Sequence, residues 1–131
     1  MNNLKHTLSE ALGMLGCDPS RFSFDDRSTI AMSFNDVGDI MLDPVGDQLW
    51  MWCALTDVQL DTLRPCAHDL LVQIATPVEY MAAGCLSLRA DDDQVRVGGL
   101  VRADYIDEAR HFAAAIEGFY LRMVLLQDLA K

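Results

Sequence analysis

The side chains with which this sequence could ligate a metal or carry a reaction are His6, His68 and His111, the thiols of Cys17, Cys53, Cys66 and Cys85, and the carboxylates of Asp25-Asp26, Asp91-Asp92-Asp93 and Asp107-Glu108. Metal sites need several such ligands at short, fixed spacing. The histidines stand far apart, one on each expected helix, and no Cys-x-x-Cys pair occurs, so no metal or redox site is expected. The cysteines read as reduced, mostly buried thiols. The acidic groups fall in expected turns or in a first helical turn, and the aspartate triplet lacks the alternation and glycine of a calcium loop. There is no Gly-x-Ser-x-Gly elbow and no glycine-rich phosphate loop. With no converging set of groups, the expectation is a protein that is not an enzyme and uses no cofactor.

Apolar contact is better supplied than catalysis. Between Gln48 and Leu55, strand alternation sends Trp50 and Trp52 to one face and Leu49, Met51, Cys53 and Leu55 to the other. An antiparallel sheet covered by helices on one side normally turns polar residues outward. The tryptophans therefore need cover, either from the same chain or from a subunit or peptide, where aromatic and thioether side chains supply contact area. The surface expected to receive a partner polypeptide is Ile30, Met32, Phe34, Met41, Trp50 and Trp52. Leu63, Ala67, Leu70 and Leu71, on a middle helix, are expected to meet a second copy across a two-fold axis.

The elements that would position these residues follow from periodicity. Leu4, Leu8, Ala11, Leu12 and Leu15 make one helical stripe, with Gly16 as its stop and Pro19 close behind. Strands are expected over 28–34, 39–43 and 48–55, joined by turns at 35–38 and 44–47. Asp61 or Thr62 is placed to cap the second helix, in which Pro65 fits only the first turn. A hairpin of 85–89 and 94–101 follows, with Gly98-Gly99 read as a bulge. Asp104 and Asp107 suggest a capping box opening a last helix nearly to Lys131, with Ile106, Ala109, Phe112, Ala113, Ile116, Tyr120 and Met123 as its apolar stripe. The class is α+β: helix, three strands, helix, two strands, helix, with a mainly antiparallel twisted sheet and helices packed on it.

Composition bounds the partners. The chain has 131 residues, enough for one domain with a single core. Its mean hydropathy of +0.12 is high for so short a soluble chain. No apolar run approaches the roughly 18 residues of a membrane span, and no basic region followed by an apolar run opens the sequence, so a cytoplasmic protein without membrane insertion is expected. Ten basic against 20 acidic side chains leave a net charge of −10, which repels nucleic acid and favours a basic or neutral polypeptide.

Four strings, Gly16-Cys17-Asp18-Pro19-Ser20, Ser28-Thr29-Ile30, Trp50-Met51-Trp52 and Gly118-Phe119-Tyr120, occur in an order and at intervals that resemble the InvB/SpaK family. This is the class of type III secretion chaperones that serve several effectors. The resemblance implies a cytoplasmic bacterial homodimer, without ATP, whose protomers hold the extended N-terminal region of a secreted effector or translocator. Pro65 and the stretch from Pro77 to Gly84 depart from the family's pattern. The residues taken alone also admit a small-ligand-binding or enzymatic α+β domain, or a structural dimerisation module.

Overall fold

Alternation along the strands decides which side of the sheet the helices cover. The computed structural model describes residues 4–17, the backbone of residues 22–23, and residues 29–131. Its helices are α1 (Leu4–Met14), α2 (Ala67–Ala75), α3 (Ala103–Ile106) and α4 (Ala109–Leu129); its strands are β1 (Phe22–Ser23), β2 (Ile30–Met32), β3 (Ile40–Val45), β4 (Gln48–Ala54), β5 (Ser87–Asp91) and β6 (Gln94–Leu100). A 3₁₀-helix, Leu60–Cys66, leads into α2. The strands form one antiparallel sheet in the order β1-β2-β3-β4-β6-β5. The fold is α+β, as the sequence predicts, with the short β1 added before the three expected strands.

One face of this sheet is the core. Ile30 and Met32 on β2, Ile40 and Leu42 on β3, Leu49, Met51 and Cys53 on β4, and Val95 and Val97 on β6 are all buried. They share one cluster with Leu4, Leu8, Ala11 and Leu12 of α1 and with Phe112, Ile116, Phe119, Met123 and Leu126 of α4. The helical stripe predicted for α1 is the buried one. Its end is a Schellman cap: Gly16 takes φ +73°, Cys17 N–H donates to the Leu12 carbonyl at 3.0 Å, and Gly16 N–H to that of Gly13 at 3.1 Å. Pro19 and the Asp25-Asp26 pair lie outside the described residues.

Several details differ from expectation for a local reason. The helix expected to start at Asp61 or Thr62 is 3₁₀ until Cys66, because Pro65 lacks an N–H and its ring opposes the carbonyl four residues back. Gln59 caps it, with Thr62 Oγ1 accepting from Gln59 N–H at 3.0 Å. Pro44 and Val45 belong to β3 rather than to the turn, which narrows to Gly46-Asp47, with Gly46 at φ +61°. Gly98 and Gly99 keep regular register with Trp52 and Met51, so there is no bulge. A Cβ on Gly98 would stand 2.2 Å from the Met51 carbonyl oxygen and 2.7 Å from Trp52 Cα, so a glycine is needed where these two strands touch.

The last helix does not run from Asp104. Arg102 caps α3, and the chain then breaks at Glu108, which is extended (φ −125°, ψ 132°) and caps α4. The carbonyl of Glu108 accepts from Phe112 N–H at 2.9 Å, and its carboxylate sits at the positive end of the new helix. The 21 residues of α4 are about 31 Å long at about 1.5 Å per residue, shorter than the continuous helix expected. Beyond the predicted stripe, α4 also buries Ala115, Phe119, Leu126 and Gln127.

Candidate polypeptide-binding surface

The face of the sheet turned away from the helices carries Ala31, Met41, Asp43, Trp50, Trp52, Arg96 and Leu100, by the register that pairs Ala31 with Met41, Met41 with Trp52, and Trp50 with Leu100. Trp50 remains 37% exposed. Trp52 is held upright by its neighbours. Its indole N–H donates to Asp43 Oδ2 at 2.6 Å, Asp43 also accepts from the Thr29 hydroxyl, and the Arg96 guanidinium lies 4.3 Å from the ring centroid. Such a cation–aromatic contact favours the ring's π-face and fixes its plane. Arg96 is itself anchored to Asp91 at 3.2 Å.

Trp52 stands as a ridge between two depressions. One, of about 290 Å³, is lined by Asp43, Trp50, Ser87, Arg89, Arg96 and Gly98. The other, of about 840 Å³, is lined by Met41, Ala54, Thr56, Gln59 and Thr62 among others, with Asp39, Asp57 and Asp93 on its margin. Both are open rather than enclosed, and polar groups of the smaller one are engaged within the chain: Ser87 Oγ donates to the Gly98 carbonyl at 2.9 Å and Arg96 pairs with Asp91. Asp43 is already occupied by two donors. Among the described residues no group of three or more His, Cys, Asp or Glu is placed to hold a metal ion, and no helix is long and apolar enough to cross a membrane.

The six residues expected to meet a partner divide three ways. Met41, Trp50 and Trp52 share this outer face. Ile30 and Met32 do not: they are 1% and 2% exposed and lie in the core, because the alternation that points Ala31 outward points them at the helices. Phe34 continues the inward series beyond β2 and stacks on Tyr120 of α4, ring centroids 4.8 Å apart. It lines a separate groove of about 670 Å³ with Leu12, Met14, Leu15, Ile116 and Glu117. Alternation gives Ile30, Met32 and Phe34 one shared face without saying whether that face meets the helices or a partner.

The four residues expected at a two-fold axis also split. Leu63 and Leu70 are buried in the monomer, whereas Ala67 and Leu71 are exposed, Leu71 at 67%. Leu63 and Leu70 pack into the core of the single chain, at 5% and 3% exposed. Leu60 and Val72, not singled out from sequence, add to the exposed apolar surface of this segment, and Leu121 and Leu125 do so on α4. Arg122 Nη1 donates to the Gln73 carbonyl at 2.8 Å and ties α4 to α2. Spacing of exposed leucines at i and i+4 was the available signal for Leu121 and Leu125.

A model of the Invasion protein B family matches residues 16–92, more than half of the chain. The match includes three of the four strings, and Gly118-Phe119-Tyr120 lies beyond it. Surface presentation of antigens protein SpaK of Salmonella typhimurium and that of Salmonella typhi are each 26% identical over 119 residues, covering 90% of this chain and 88% of theirs. A chain of the heterodimeric ExoU–SpcU complex from the type III secretion system of Pseudomonas aeruginosa is similar at a TM-score of 0.48 and 18% identity, over 88% of this chain and 93% of that one. The chain belongs to the Invasion protein B family, the InvB/SpaK family of type III secretion chaperones.

Proposed function

We propose that the protein is a non-enzymatic, cytoplasmic bacterial chaperone that holds the N-terminal chaperone-binding segment of one or more type III effectors or translocators, keeping it extended and secretion-competent. The observation that carries this reading is the partly exposed outer face: Met41, Trp50 and Trp52 stand side by side on one surface of a sheet whose other surface the helices cover. Apolar side chains of an extended segment gain about 25 cal/mol per Å² on burial there, before the cost of ordering the segment. The carboxylates of Asp39, Asp57 and Asp93 at the margin, with the net charge of −10, favour a basic or neutral segment and speed its encounter. The working unit in this reading is a homodimer that meets through Ala67 and Leu71, with Leu60 and Val72 beside them.

Coexpression with the N-terminal region of an effector encoded nearby, followed by capture through a tag on that region, tests the reading. Wild-type protein is expected to be retained as a stable complex. Met41→Ala with Trp50→Ala is expected to weaken retention at least tenfold, since aromatic anchors carry about 2 kcal/mol or more when truncated. Failure of wild-type protein to copurify with any such region overturns the reading.

A further inference from the structure

Trp52 divides the outer face into two sides of opposite charge. The smaller depression has Gly98 as its floor and Arg89 and Arg96 on its wall. Its own carboxylate, Asp43, accepts from the Thr29 hydroxyl on one oxygen and from the Trp52 indole N–H on the other. Both guanidiniums reach Asp91, but unequally: Arg96 at 3.2 Å, with 24% of its side chain exposed, and Arg89 at 3.8 Å, with 63% exposed. Arg96 is further engaged by the Trp52 ring and by Gln94 Oε1, so Arg89 is the cation that a ligand meets there. The larger depression, across the indole, is lined by Asp39, Asp57 and Asp93, with Arg96 shared between the two. In a chain with ten basic against 20 acidic side chains, two guanidiniums beside one depression and three carboxylates beside its neighbour depart from an even spread.

We infer that the outer face reads the order of charges along its ligand: an acidic side chain lies beside Arg89, an apolar one against Trp52, and a basic one beside Asp39, Asp57 and Asp93. The inference rests on the chaperone reading and adds which way round the bound segment lies. Arg89 on β5 and Asp39, just before β3, are separated by three strand spacings in the order β3-β4-β6-β5. At about 4.8 Å each this is about 14 Å, which an extended chain covers in about four residues at about 3.3 Å apiece. Residues two and four apart in an extended chain point the same way, so acid, apolar residue and base at every second position all face the sheet. The net charge of −10 taken alone favours a segment with two cations. Within the Debye length of about 8 Å at physiological salt, the nearest charges decide instead, and these differ in sign on the two sides of Trp52.

The probes are capped peptides in which a glutamate and a lysine stand four positions apart, with a leucine midway and serines between. They are compared with versions carrying two lysines or two glutamates, at physiological salt. The mixed peptide is expected to bind the full chain about two- to fivefold more tightly than either, the range for one exposed ion pair. A nitroxide label placed next to the glutamate is expected to broaden the NMR signal of the Ser87 amide more than that of the Met41 methyl, because Ser87 lines the smaller depression and Met41 the larger. A label next to the lysine is expected to do the reverse. Arg89→Gln, at an exposed position, is expected to remove both the advantage over the two-lysine peptide and the directional broadening, with the other signals native. A two-lysine peptide that binds tightest, broadening that does not follow the charge, a preference that survives Arg89→Gln, or no response of Ser87 and Met41 to any peptide overturns the inference. If an effector region still copurifies with the wild-type protein in those cases, the chaperone reading stands without the charge order; if none does, both fall.

Discussion

Gly98 shows how much of this sheet depends on a missing atom. The β4–β6 contact leaves no room for a Cβ, since the Met51 carbonyl would lie 2.2 Å away, and backbone cannot yield as a flexible side chain does. Gly98→Ala is expected to cost about 3 kcal/mol, the upper range for overpacking, read as a lower urea midpoint with an unchanged slope. Two other buried groups make stability depend on alkaline pH. Burial pushes the Cys53 thiol up from 9.0 to about 12, with the Asp39 carboxylate adding to it. Burial likewise pushes the Tyr80 phenol up from 10.0 to about 12, against the opposing Arg122 charge. Among the described residues the Tyr80 hydroxyl has no hydrogen-bond partner. Both groups ionise more readily unfolded, so the unfolded chain sheds protons first. The stability they protect is complete below about pH 9 and is lost as pH rises toward about 12. Thermal midpoints measured across that interval should fall less steeply in Cys53→Ala, Tyr80→Phe than in wild type; parallel curves would refute the assignment.

At the scale of elements, α4 is both the core's main helix and a clamp. Gln127, buried in its last turn, accepts from Thr56 N–H at 2.8 Å and donates to the Thr56 carbonyl at 3.0 Å. Removing that amide leaves both backbone groups of the loop after β4 without a partner. Gln127→Ala is accordingly expected to cost about 2 kcal/mol, with faster amide exchange at Thr56 than in wild type. How far the elements were legible follows from the same physics. The α1 stripe and the opposite faces of β4 were readable because both depend on local periodicity, and Gly16 announced its turn through its own conformational freedom. The break at Glu108 was not, since Asp104 and Asp107 read as a capping box, whereas Glu108 caps α4 through its extended backbone with no side-chain hydrogen bond to mark it. Ile30, Met32, Leu63 and Leu70 were placed on interaction surfaces because apolar character marks a residue for burial without saying against what. Only the register, which puts Ala31 rather than Ile30 outward, separates core from interface.

The sheet has one face covered by helices and one partly open, and the proposed assembly uses exposed patches apart from the core. Light scattering at micromolar concentration is expected to give twice the chain mass of 14.6 kDa. Leu71→Asp, which puts a charge into the exposed apolar surface of α2 without touching the buried Leu63 and Leu70, is expected to return that mass to the single-chain value while circular dichroism stays native. A wild-type protein that already scatters as one chain would remove the dimer from the account, leaving the outer face and its partner unaffected.

The unsealed face of the sheet also bears on how the free protein behaves between synthesis and use. A solvatochromic dye that brightens in apolar surroundings should bind the empty molecule even though its core is fully packed, a response usually taken as a sign of loosened structure. The glow should fade as cargo loads, so that in this protein the dye would report vacancy.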